Sequence, residues 1–321
     1  MNNKIKYDNN DIFVAVPAYN EHFLFETVKL AYERAEKPDR IYFGIFNQKS
    51  NLDNFEDFSN YKNVRSINVR YDKPLGASLA RLNASALHEN EKYLMQIDAH
   101  TIFAHNWDSF LQKDLDFLLC HVEKPIISQT VRSFSYEDFL NPESKTIEKF
   151  TGTDAHPFGV LVDENGNEYI GEDVFRSNER KYYEKFLEHY FCMGSAGLFS
   201  LSSFIEDVSY NPWITLAPEQ EFTGLRACTR GYRMFSTPRN YIATMTKDKK
   251  YLDTYTDDLC TNENNIKTKV KYDVVNRFLL GNEFGFYGAP DKESYDEYIK
   301  KSKVDFNKTK TIGHRQGKEN K

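Results

Sequence analysis

The chain has little cysteine. Its four cysteines, Cys120, Cys192, Cys228 and Cys260, are widely scattered along 321 residues. No CxxC spacing is present, which argues against a zinc ribbon, and nothing in the spacing suggests a disulfide framework. Apolar runs long enough to cross a bilayer are absent as well. Residues 1–11 are polar and lead straight into the first expected strand, without the apolar stretch of a signal peptide. These absences imply a reduced, soluble, cytoplasmic chain with no membrane span. Positive charge is also in deficit. The net charge of −6 argues against a protein wrapped generally around nucleic acid. The exception is the end of the chain, where Lys300, Lys301, Lys303, Lys308, Lys310, Arg315, Lys318 and Lys321 face only Asp305 and Glu319. Residues 301–321 read as a basic, flexible tail, with phosphate contact as the alternative.

What is present is a globular composition, 40% hydrophobic and 15% aromatic. The first third alternates short apolar strands with amphipathic helices. Strands are expected at Ile12–Val16, Ile41–Phe46, Val64–Val69 and Tyr93–Ile97, and helices at Phe23–Arg34 and Gly76–Leu87. In the second helix, Leu79, Leu82, Ala86 and Leu87 supply the expected apolar stripe. Such alternation implies an α/β fold with a mostly parallel, Rossmann-like central sheet flanked by helices, and ligands at the C-terminal strand ends. Residues 135–185 are polar and read as an insertion, a lid or acceptor-facing region. Within it, Asp163-Glu164-Asn165-Gly166-Asn167 reads as a hairpin turn between Val160-Leu161-Val162 and Tyr169-Ile170. Glu219–Arg230 reads as a helix stopped by Gly231. Residues 1–250 thus form the main domain, followed by a helical extension over 251–300, clearest at Val270–Leu280.

The chemistry centres on Asp98-Ala99-His100 at the end of a strand. A carboxylate and an imidazole one residue apart there can face a single divalent cation, Mn²⁺ or Mg²⁺, with diphosphate oxygens completing its shell. Such a cation offsets the charge on a departing nucleoside diphosphate. A surface pair with no ligand is the bland alternative for the triplet taken alone. No Gly-rich phosphate loop follows the first strand, which weakens a nucleotidyltransferase reading.

The surrounding residues carry more. Tyr93-Leu94-Met95-Gln96-Ile97-Asp98-Ala99-His100, with Phe103 and Asn106-Trp107-Asp108 beyond it, resembles the GT-A glycosyltransferases that add GlcNAc to hydroxyproline in the cytoplasm. The triplet is also similar to the Asp-x-His site of polypeptide GalNAc-transferases. The likeness continues in order through Val14–Glu21, Gly76-Ala77-Ser78-Leu79-Ala80-Arg81, Phe191–Ser200, Tyr210-Asn211-Pro212 and Glu219-Gln220. It implies a GT-A fold and a metal-dependent transfer from a UDP-linked sugar, with retention, to a hydroxyl acceptor on protein, glycan or a hydroxylated DNA base. It implies that Pro17, Tyr19 and Glu21 line the base and ribose, and that Arg81 pairs with the diphosphate. Asp98 and His100 would hold the metal, while Gly194, Ser195 and Gly197 would let backbone approach the sugar. Glu219, with Gln220, would orient the acceptor hydroxyl or the donor sugar, or act as a base in an inverting enzyme.

The chain departs from the family pattern in three places. Ala77 replaces the usual proline, Glu219-Gln220 replaces two acidic residues in tandem, and no histidine follows Pro238-Arg239. A water or a more distant residue such as Asp248 would then complete the metal shell. Two other readings stay open. One is a phage-type transferase acting on hydroxylated DNA bases, with Lys247, Lys249 and Lys250 and the tail on phosphates. The other is a nucleotide-sugar-binding protein of impaired turnover.

Overall fold

The computed structural model describes residues 9–50, 55–71, 75–128, 130–135, 158–172, 186–191, 197–212, 214, 219–245 and 277–308. Strand β1 (Ile12–Tyr19) is buried along both faces until Pro17, because its apolar run is unbroken. It pairs in parallel with β2 (Ile41–Lys49) on one side and β4 (Tyr93–Gln96) on the other, and β2 pairs in parallel with β3 (Val64–Arg70). Beyond β4 the sheet changes character. Strand β11 (Leu198–Leu201) lies antiparallel between β4 and β6 (Pro125–Ser128). β12 (Arg233–Ser236) then joins β6 in parallel, and β10 (Leu187–His189) closes the edge antiparallel. The eight-stranded order is therefore β10-β12-β6-β11-β4-β1-β2-β3. A small sheet of β5 (Thr101–Phe103), β13 (Ile242–Met245) and β7 (Arg132–Phe134) sits beside it.

Helices cover both faces. On one, α1 (Leu24–Arg34) and α3 (Trp107–Leu119) pack Leu24, Val28, Trp107, Leu111 and Leu115 against Val14, Val16 and Met95. On the other, α2 (Ala77–Ser85), α4 (Phe204–Asp207) and α5 (Glu219–Cys228) pack Ala80, Ala84, Phe204 and Ala227 against Phe13, Ala15 and Leu94. Helix α5 is covered in turn. Its Phe222 and Leu225 meet Leu279, Tyr298 and Val304 from the end of the chain, where α6 spans Lys292–Ser302. The hairpin read from sequence is β8 (Phe158–Val162) paired with β9 (Glu168–Glu172). Asp163 closes its turn by accepting the Asn165 and Asn167 amides at 2.9 and 2.8 Å.

Two expectations change. The stripe of α2 is not leucine: Ser78, Ala80, Arg81, Ala84 and Ser85 are buried, while Leu79, Leu82 and Leu87 are half-buried and Ala86 is exposed. Small residues let the helix settle close to β2. A Cβ at Gly44 would stand 2.7 Å from the Ala84 carbonyl oxygen and 2.2 Å from Phe13 Cζ. Gly44→Ala is therefore expected to cost about 1–3 kcal/mol through overpacking. Urea titration should show a lower midpoint at unchanged m; an unshifted midpoint would mean that the helix can ride up freely. The second change is at the basic tail, where Ser302 and Val304 are buried. Packed chain thus runs past Lys301. Residues 309–321, most of Val270–Leu280, and Lys247, Lys249 and Lys250 lie outside the described residues.

Candidate functional site

Because β1, β2, β3 and β4 are parallel, their C-terminal ends open on one edge of the sheet, where the residues following them meet. Tyr19 and Glu21 come from β1, and Asp98 and His100 follow β4. Strand β11 runs the other way, so its beginning reaches the same edge: Leu198 is in register with Gln96. Gly197, just before it, has φ +129°, a conformation that favours glycine, and its missing Cβ would press on Ile242 and Val131 at 3.3 Å. Gly194 and Ser195 lie outside the described residues.

The loop carrying Asp98 and His100 is fastened from behind. The Thr27 hydroxyl on α1 donates to the Ala99 carbonyl at 2.9 Å and accepts the Thr101 amide at 3.0 Å. The Thr101 hydroxyl donates to the Asp98 carbonyl at 2.8 Å, and the His100 carbonyl accepts the Met245 amide at 3.1 Å. The backbone of the loop is thereby held against β13.

Five ionisable side chains form a line of alternating sign. Glu21 Oε2 is 2.8 Å from His100 Nδ1. Its other oxygen accepts the His22 and Phe23 amides at 3.1 and 3.3 Å. His100 Nε2 is 4.0 Å from Asp98 Oδ2. Asp98 Oδ1 is 3.5 Å from Arg81 Nη2, and Arg81 Nε is 3.0 Å from Glu219 Oε1 on α5. That last contact is an ion pair, and among the described residues Glu219 Oε1 has no hydrogen-bond partner. Gln220 follows on α5, half-buried.

Burial works against charge throughout this line, and the neighbours decide the outcome. Burial opposes ionisation of Glu21, but the His100 charge and hydrogen bond, with the two amides, hold its carboxyl below the usual range. Burial likewise opposes a charged His100, yet Glu21 and then Asp98 raise its pKa. Burial pushes the Asp98 carboxyl up against the pull of His100 and Arg81. It pushes Glu219 up against the pull of Arg81.

The exposures divide the line. Side chains of Asp98 and His100 are 21% and 18% exposed, whereas those of Arg81 and Glu219 are 4% and 5%. A ligand arriving at the sheet edge therefore meets Asp98 and His100 first. The residues suit a divalent cation. Glu21 engages Nδ1 and leaves Nε2 turned to the same gap as a carboxylate oxygen, the arrangement that orients a metal-binding imidazole. Among the described residues no group of three or more His, Cys, Asp or Glu side chains suits a metal. The strand after Pro238-Arg239 instead brings the Thr244 hydroxyl to 3.5 Å from Asp98 Oδ2.

The resemblance implies that Glu21 lines the base and ribose; in the structure its carboxylate meets His100. The resemblance implies that Arg81 pairs with the diphosphate; in the structure it is buried between the Asp98 and Glu219 carboxylates. Thr27 and Thr244 carried no sequence signal, since a lone threonine on a helix or strand looks like any other. Pro17 and Tyr19, both half-buried, are in register with Phe46 and Gln48 of β2.

A mixed sheet of this order, with helices on both faces and carboxylates after β1 and β4, is the architecture of a GT-A glycosyltransferase. A crystal structure of GalNAc-T7 with UDP, GalNAc and Mn²⁺ is similar to this chain at TM-score 0.50 and 13% identity. The likeness covers 93% of this chain and 55% of that one, so the chain spans about half the length of GalNAc-T7. A structure of S. aureus TarS 1-349 in complex with UDP-GlcNAc is similar at TM-score 0.45 and 12% identity, covering 84% of this chain and 72% of that one. No curated protein matches the sequence. The family model described as glycosyltransferase (GlcNAc) matches residues 54–275, and the chain belongs to that glycosyltransferase family.

Proposed function

We propose that the protein transfers a sugar from a UDP-linked donor to a hydroxyl acceptor, with retention, using Mn²⁺ or Mg²⁺ held by Asp98 and His100. The observation that carries this reading is the pairing of Asp98 Oδ2 with His100 Nε2 at the open strand edge, while Glu21 occupies the far imidazole nitrogen. A divalent cation bound there offsets charge on the departing diphosphate. Glu21 fixes the tautomer and the tilt of the imidazole. Pro17 and Tyr19, at the end of β1, line the base and ribose, and Gly197 with the preceding Gly194 and Ser195 borders the sugar. Glu219 and Gln220, at the start of α5, orient the acceptor hydroxyl or the sugar.

Retention, the hydroxyl acceptor and a cytoplasmic site of action follow from the resemblance to the hydroxyproline-modifying enzymes. UDP-GlcNAc leads the donor list because the matched family is described by that sugar, and UDP-GalNAc follows from GalNAc-T7. The test is hydrolysis or transfer from a panel of nucleotide-sugars, with and without EDTA. One UDP-sugar should turn over, chelation should abolish turnover, and added Mn²⁺ should restore it. Proton NMR of the first product formed reads the anomeric configuration. Absence of both binding and turnover across the panel would sink the reading, and an inverted product would remove retention alone.

A further inference from the structure

The guanidinium of Arg81 sits where a phosphate cannot easily reach it. Its side chain is 4% exposed, and it lies between a carboxylate from the end of β4 and one from the start of α5. We infer that Arg81 is a positioning residue: it fixes Glu219 relative to Asp98 and makes no contact with the donor's diphosphate. This inference rests on the donor reading above for its consequence in catalysis, but its geometry stands without it.

Three observations carry it. First, α2 delivers the guanidinium from behind the strands. The helix lies close against β2 through Ala84 over Gly44, and Ser78, Arg81 and Ser85 are buried with it. Second, Asp98 follows a strand and Glu219 opens a helix, and among the described residues no hydrogen bond joins the two. Arg81 Nη2 is 3.5 Å from Asp98 and Nε is 3.0 Å from Glu219, so one planar group spans both. A guanidinium can serve two partners at fixed angles, as an ammonium cannot. Third, Glu219 is 5% exposed and, among the described residues, its Oε1 has no hydrogen-bond partner, so without Arg81 that buried oxygen would lose the cation facing it. Removing one member of a buried ion pair leaves that cost in place. The expected consequence is that Glu219 turns or takes up a proton, and the group meant to orient the acceptor or sugar is lost while the donor site survives.

The experiment uses the full chain and the variants Arg81→Met, Arg81→Lys and Glu219→Gln, singly and combined. Calorimetry in EDTA compares UDP with uridine. For Arg81→Met, both affinities should stay within about threefold of wild type. Loss of about tenfold or more for UDP, with uridine unchanged, would mean a phosphate contact and overturn the inference. In steady-state assays Arg81→Met should lower kcat by roughly 10²-fold, the size expected for a lost preorganised group, with donor KM nearly unchanged. In the Glu219→Gln background the same change should cost little more, because both act as one unit. Losses that multiply overturn the inference.

If Arg81→Met does not fold, Arg81→Lys carries the test. Its kcat should fall while UDP affinity holds, and a fall in UDP affinity alone counts against the inference. If wild type binds no nucleotide, the donor reading fails and stability still tests the geometry. Glu219→Met should then recover most of the thermal stability that Arg81→Met removes. Additive losses of Tm would overturn the placement of Arg81 between the carboxylates.

Discussion

Asp98→Asn is expected to lower kcat by about 10²–10³-fold, the range found when a preorganised electrostatic group is removed from a transition state. Asparagine keeps the size of the side chain and an oxygen, so the packing around β4 should survive. The negative charge does not. Asp98 is the more open of the two candidate metal-holding residues, and its Oδ2 faces His100 Nε2 at 4.0 Å. A neutral amide there is a weaker ligand than a carboxylate for a hard divalent cation. The residual activity of the variant should accordingly be insensitive to EDTA, whereas wild-type activity should be abolished by it. Thermal unfolding supplies the control. The side chain is 21% exposed and its ion pair with Arg81 is long, so Tm should move little. Activity within tenfold of wild type, still sensitive to chelation, would show that the cation is held by other residues.

The sheet edge where Glu21, Asp98 and His100 meet is legible in the sequence, and the limits on reading the rest are physical. A strand end is legible from sequence because a continuous apolar run stops at a charged residue. Ile12–Tyr19 is such a run and Tyr93–Ile97 is one but for Gln96, and Glu21 and Asp98 stand just beyond them. Parallel pairing then brings the two ends together without further information. Partner choice is a different matter. Glu21 lies at a strand end that suits a ribose equally well, and only the loop geometry around Thr27 turns His100 toward it. Arg81 lies one turn from Ala77 and looks like a surface arginine until the helix is seen to bury its small face. That choice of face is decided by Gly44, a residue on another strand whose missing side chain has no signature along α2. The antiparallel insertion of β11 has no such signature, since Leu198-Phe199-Ser200-Leu201 reads alike in either direction.

The segment Asn106-Trp107-Asp108 lies within the stretch that carries the resemblance to GT-A enzymes, yet its contacts are those of a staple. The Asn106 amide donates to the Arg34 carbonyl at 2.7 Å, and Trp107 Nε1 donates to the Ala31 carbonyl at 3.0 Å. The two Asp108 carboxylate oxygens accept the Glu36 and Lys37 amides at 2.8 and 2.9 Å. Together they bind the start of α3 to the end of α1. The Trp107 ring is fully buried, 4.9 Å from Phe103, in the cluster that also holds Val14 and Met95. Trp107→Ala is therefore expected to cost about 3–5 kcal/mol, the range for emptying a buried aromatic site. Asp108→Asn should cost less, about 1–3 kcal/mol, because an amide nitrogen would face one backbone N–H and leave it unpaired. Urea unfolding followed by circular dichroism ranks the two, since fluorescence would lose one of its reporters with Trp107. The order matters more than either value. If the motif served the ligand directly, both variants would fold like wild type and lose nucleotide binding. As a staple, each should lose stability first, and the fraction still folded should bind UDP with wild-type affinity.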